Sequence, residues 1–135
     1  KVGWETWRLT DAATRLRLQA PVAWPAGSVY DQFHNYSIET TGGRRVAASV
    51  TVARTPQSGY WSVQAMRWLR PPAVESPTGT KKVGGRTYML FYQGDSLHMV
   101  AWRERGTLYW VLNTLDDQLS NDVMMGLATS CRPVK

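Results

Sequence analysis

Cysteine is almost missing from this 135-residue chain: Cys131 stands alone, so no intrachain disulfide can form. That count leaves the redox compartment open. Its place on an apolar stripe reads as a small core residue rather than a reactive thiol. Histidine is scarce too. His34 and His98 are the only two, and no Cys/His pair has zinc-like spacing, so nothing implies a metal or other cofactor. No apolar run is long enough for a membrane helix. No secretory leader is visible, and Lys1 reads as a mature end or a boundary within a longer protein. Repeats, low-complexity tracts and linkers are absent, so residues 1–135 read as one domain.

Acidic charge is also in short supply. Ten Asp and Glu face sixteen Lys and Arg, a net charge of +6. That balance favours polyanions as partners, whether nucleic acid, anionic lipid or phosphate-bearing polymer, or else keeps the surface soluble. Aromatic bulk is plentiful, with seven tryptophans and six tyrosines for a core.

The clearest pattern runs from Thr87 to Val134. Tyr88, Leu90 and Tyr92 alternate with Met89, Phe91 and Gln93. Leu97, Met99 and Ala101 alternate with His98, Val100 and Trp102. Leu108, Trp110 and Leu112 alternate with Tyr109, Val111 and Asn113. This two-residue period predicts three strands, apolar on both faces and central in a sheet. Gln93 to Ser96 joins the first pair, and Glu104-Arg105-Gly106 suits a three-residue hairpin loop. After Leu115 the period changes. Leu119, Val123, Met124, Leu127, Ala128 and Cys131 form one helical stripe, with Ser120 as N-cap, a Leu119–Met124 staple and Pro133 as terminator. Asp122 and Arg132 sit where the helix dipole favours them. Gly126 costs the helix about 1 kcal/mol relative to alanine, which a close approach to the sheet would offset.

Upstream, Lys1 to Asp11 contains Trp4 and Trp7 without a clear period, and a second helix fits near Thr10 to Arg17. Arg15 to Gln19 is a short half-buried strand or helix end, and Ala20 to Gly27 a connection. Val29–Thr41, Val46–Ala53 and Tyr60–Trp68 read as strands. Pro71-Pro72 breaks the loop that follows, and Lys81-Lys82-Val83 pairs briefly before the Gly84-Gly85 turn. The expected class is α+β: a curved antiparallel sheet of six to seven strands with a C-terminal helix packed on one face.

No catalytic motif stands out. There is no G-x-S-x-G or Cys/His signature, and Gly84-Gly85-Arg86 precedes a strand, whereas phosphate-cradling loops open a helix. Asp116-Asp117, with Asn113 and Asp122, lacks calcium-loop spacing and suits turn and cap duty. A hydrolase or transferase would need a pocket that gathers two or more of His34, Asp95, His98, Asp116 and Asp117. The remaining constellation is basic and aromatic. Arg67 and Arg70 flank Trp68, and Lys81, Lys82 and Arg86 follow. Arginine pairs bidentately with phosphate or carboxylate and tryptophan stacks on a ring, so these five cations are the candidate binding residues. The bland alternative is a core tryptophan with solubilising cations. Nucleic acid rests on charge alone, since no strand carries the aromatic pair of an RNA-binding sheet.

The runs W-L-R-P-P (68–72), G-G-R-x-Y (84–88), Y-Q-G-D-S-L-H-M-V-A-W-R (92–103), Y-W-V-L-N-T-L (109–115) and L-S-N-D-V-M-M-G-L-A-T-S (119–130) resemble a region that follows the catalytic domain in some actinobacterial LytR-CpsA-Psr proteins. Those are envelope proteins that transfer polyprenyl-linked glycopolymers to the cell wall. The resemblance covers about the last half of the chain and does not reach that family's catalytic arginines and aspartates, so no catalytic residue carries over. It implies an extracytoplasmic, cell-envelope location and a non-catalytic accessory role, with an anionic wall polymer, lipid head groups or a protein as partner. The pattern is also similar to small α+β modules of the PsbP/Mog1 type, an analogy of fold alone. A structural protein-interaction module without a ligand of its own is the alternative.

Overall fold

The computed structural model describes residues 17–21, 25 and 27–133. The tryptophan-bearing opening and the helix expected near Thr10 lie outside them. The elements are β1 (Gln19–Pro21), β2 (Val29–Glu39), β3 (Arg45–Arg54), β4 (Tyr60–Met66), β5 (Gly79–Val83), β6 (Arg86–Gln93), β7 (Ser96–Glu104), β8 (Thr107–Leu112), a helix α1 (Asn121–Ser130) and β9 (Cys131–Pro133). Seven strands make one antiparallel sheet in the order β2-β3-β4-β8-β7-β6-β5, and β1 pairs with β9 as a separate ribbon. The expected α+β class is what the chain adopts.

Hairpins explain most of this order, because short connections make sequential antiparallel neighbours. The exception is the step from β4 to β5. β8, not β5, lies beside β4, so residues 67–78 must carry the chain to the far edge of the sheet. They do so across one face. Trp68, Leu69 and Val74 pack there against Met66, Met89, Met99, Ala101, Leu108 and Trp110. The opposite face carries Trp61, Val63, Tyr88, Leu90, Val100, Trp102, Tyr109 and Val111, covered by Met124, Leu127 and Ala128 of α1. Both faces of the central strands are thus apolar because both are covered.

Turn chemistry sets the registers. Gly84 and Gly85, both at positive φ, close β5 onto β6, with Val83 opposite Arg86. Between β7 and β8 the expected three-residue loop is a two-residue turn. Glu104 faces Thr107, and Arg105 joins Gly106 at positive φ, as a primed hairpin turn requires. A bulge interrupts β6–β7: Phe91 pairs with Met99 but Tyr92 with Leu97, leaving His98 as the extra residue. The bulge turns Leu97 onto the helix-covered face, where it is buried.

The Ser120 hydroxyl accepts from the Val123 amide at 3.2 Å, the expected cap. Cys131 is not helical. It ends α1 and starts β9, yet stays buried, and burial pushes its thiol up to about 12 despite Arg86 and Arg132 nearby. A Cβ built on Gly126 meets nothing within 4 Å, so no close helix–sheet approach offsets this glycine. Gly126→Ala is therefore expected to stabilise the fold by about 1 kcal/mol, read as a higher urea midpoint at unchanged slope.

Candidate functional site

The chain leaves β4 at Arg67, whose amide donates to the Ala47 carbonyl at 3.1 Å. Trp68 and Leu69 then turn inward onto the sheet and Arg70 outward. Pro71 has an extended backbone, and one 3-10 turn follows at Pro72–Val74, held by amides of Val74 and Glu75 donating to the carbonyls of Pro71 and Pro72. Proline suits both positions because its fixed φ matches them and its missing N–H is not needed. Val74 anchors the turn in the core.

This loop, the β2–β3 turn and the end of β7 border a cleft of about 390 Å³. Trp68, Pro71, Pro72 and Val74 supply an apolar wall, Thr41 reaches in from the β2–β3 turn, and Arg70, Arg103 and Glu75 supply charge. Arg103 stands on β7 opposite Leu108, and its Nε donates to the Leu69 carbonyl at 2.7 Å, which ties the loop to the sheet. Two guanidinium groups thus share one cleft. Burial, and then the positive charge of Arg70, pull the Arg103 pKa down from its ordinary value. Among the described residues neither arginine forms an ion pair with a carboxylate. An anion between them would relieve that repulsion.

A second cleft, about 450 Å³, lies between the Gly84-Gly85 turn and the end of α1, with Arg86 and Arg132 in its lining. Its cations are committed to the protein. Arg86 Nε donates to Glu104 at 3.1 Å, and its terminal nitrogens donate to Gln19 Oε1 at 2.9 Å, the Cys131 carbonyl at 3.1 Å, the Tyr88 hydroxyl at 3.1 Å and the Ala128 carbonyl at 3.5 Å. Its guanidinium also lies 5.2 Å from the centre of the Trp102 ring. Arg132 donates to the carbonyls of Thr129 and Cys131. Both arginines finish the C-terminal end of α1, whose last carbonyls have no partners within the helix.

The five cations chosen from sequence therefore separate. Arg70 lines the first cleft. Arg67 begins the same loop. Lys81 and Lys82 are exposed on β5, opposite Tyr88 and Thr87 and so on opposite faces. Arg86 is turned inward, its side chain 16% exposed. Sequence reasoning missed Arg103. Its signal was a cation sharing a strand face with Met99 and Ala101, where a charged group marks the rim of the apolar layer.

The residues named for an enzyme also disperse. His34 is exposed, with its Nε2 2.7 Å from Gln32 Oε1. The Asp95 carbonyl accepts from Asn121, and Asp116 accepts from the Thr114 hydroxyl at 3.0 Å. His98 and Asp117 do meet, Nδ1 to Oδ1 at 2.6 Å, with side chains 19% and 11% exposed. Neither lines either cleft. The pair pins the bulge of β7 to the loop leading into α1. Among the described residues no group of three or more His, Cys, Asp or Glu is placed to hold a metal, and no helix is long and apolar enough to cross a membrane. Compared with protein-family models, curated proteins and solved structures, the chain matches none.

Proposed function

We propose that the chain is a non-catalytic binding domain of a bacterial cell-envelope protein, and that its cleft takes an anionic group of a wall polymer. The observation that carries this reading is the pair Arg70 and Arg103, two guanidinium groups beside the Trp68 indole with no carboxylate paired to either among the described residues. A phosphate or carboxylate offers the two-oxygen edge that guanidinium forks match, and the indole gives a flat wall for a sugar ring. Glu75 adds an acceptor for ligand hydroxyls, so the cleft suits an anion carried on a polyhydroxylated chain better than a bare polyphosphate. The envelope location rests on the resemblance to the LytR-CpsA-Psr region, and it puts a phosphate-bearing wall polymer within reach.

The test is a titration with a glycerol-phosphate wall polymer, followed by tryptophan fluorescence at low and high salt. Affinity is expected to fall with salt. Arg70→Glu or Arg103→Glu should weaken binding by roughly tenfold or more, as loss of a charge-assisted hydrogen bond implies. Lys81→Glu should change it little. Binding that ignores salt and both arginine substitutions would overturn the reading.

A further inference from the structure

The first cleft holds charge of both signs, and its loop keeps the two apart. Arg70 and Glu75 bracket the Pro71–Val74 segment, and both line the cleft. On a pliable loop, opposite charges five positions apart would close on each other. Here the chain is stiff. Pro71 and Pro72 each fix φ, and a proline also restricts the residue before it, here Arg70 and Pro71. Pro71 is extended, at φ −71° and ψ 160°, and buried Val74 pins the turn that follows. Among the described residues no ion pair joins Glu75 to Arg70 or Arg103, although all three line one space of about 390 Å³. The Glu75 side chain is exposed and makes no hydrogen bond to any described residue.

We infer that the cleft selects a zwitterionic repeat of the polymer, a phosphate with a primary ammonium a few bonds away. The phosphate lies between Arg70 and Arg103, and the ammonium meets Glu75. That selection rests on the anion-binding reading. A carboxylate in the cleft works against a purely anionic ligand, because it repels the phosphate that the arginines attract. It favours the ligand only where a cation accompanies the anion. A hydroxyl gives Glu75 a hydrogen bond, whereas an ammonium gives it a hydrogen bond and a counter-charge. A cleft of about 390 Å³ is small for a binding pocket, so both charges belong to one repeat. An amino acid esterified to a hydroxyl of a glycerol-phosphate repeat is such a unit. Its amine stands near the phosphate and is protonated at neutral pH.

Titration with two forms of a glycerol-phosphate polymer, plain and alanine-esterified, tests the selection apart from anion binding. At physiological salt the wild-type chain is expected to bind the esterified form about threefold more tightly, the scale of one exposed ion pair. The esterified form carries less net charge, so long-range attraction alone gives the opposite order. Glu75→Gln should erase the preference and Glu75→Lys reverse it. Acetylating the ester's amine keeps its bulk but removes its charge, and should erase the preference too. Equal affinity for the two forms, or a preference that survives Glu75→Gln or acetylation, would overturn the zwitterion inference and leave anion binding in place. Vesicles of phosphatidylethanolamine carry the same two charges on a lipid, and tighter binding to them than to the esterified polymer would overturn the polymer as the source. Binding to neither polymer, or binding unmoved by Arg70→Glu, would instead remove the anion-binding reading itself.

Discussion

Replacing Arg86 with methionine is expected to lower the unfolding free energy by about 3 kcal/mol, although the change keeps the side chain's apolar length. The guanidinium joins four segments that are distant in sequence: Gln19 in β1, Glu104 in β7, and the Ala128 and Cys131 carbonyls where α1 gives way to β9. Its removal takes one donor each from the Ala128 carbonyl, which keeps the Cys131 amide, and the Cys131 carbonyl, which keeps Arg132, and leaves Glu104 with Gln19 as its remaining partner, at 2.7 Å. Glu104 is 32% exposed and can turn partly towards water, which holds the figure to the lower end of what breaking a buried ion pair costs. Arg86→Lys keeps the charge but not the planar fork, and is expected to lose most of the same stability. Urea unfolding of the two variants with Glu104→Gln in a double-mutant cycle would measure the coupling. A loss below about 1 kcal/mol for Arg86→Met would mean that water replaces these bonds at little cost.

Asn113→Asp, a change of one atom, is expected to cost about 4 kcal/mol. Asn113 is 3% exposed, and every hydrogen-bonding group of its amide is in use. Nδ2 donates to the carbonyls of Leu97 at 3.0 Å and Leu119 at 2.9 Å. Oδ1 accepts from the amides of Thr114 at 2.8 Å and Leu119 at 3.1 Å. Its backbone amide meets the His98 carbonyl at 2.7 Å, on the bulge itself. One side chain therefore holds the bulge in β7, the end of β8 and the approach to α1 in register. A carboxylate there keeps the two acceptor bonds but sets a buried negative charge against two carbonyl oxygens. Asn113→Ala loses the bonds without adding the charge, so it should be the milder variant. Thermal unfolding compared across the two decides the matter, and equal losses would show that the charge contributes nothing.

What the sequence made legible follows from range. β6, β7, β8 and the Ser120 cap are local patterns, a two-residue alternation and a hydroxyl three residues before its amide, and the structure has them where that reading put them. β1 and β9 are three residues each and make a pair across more than a hundred positions, so no local period announces them. Arg86, following two glycines, reads as a solvated turn cation because nothing nearby in sequence says that its partners come from β1, β7 and β9. The loop after β4 was plainly a loop, but its burial across the second face follows from β8 taking the place beside β4. The cleft was half legible. Trp68 and Arg70 lie two apart and read together as an indole beside a cation, whereas Arg103 arrives from 33 positions further along the chain.

The pairing of β1 with β9 has a mechanical consequence. Gln19 lies opposite Pro133, so the two ends of the described chain leave from one corner, facing each other across the ribbon. Tension applied through those ends loads the rungs singly, as in opening a zip, and not all together as in sliding strands past one another. Force of that kind would peel this corner first, and the Arg86 knot behind it would decide whether the tear ran on into the sheet.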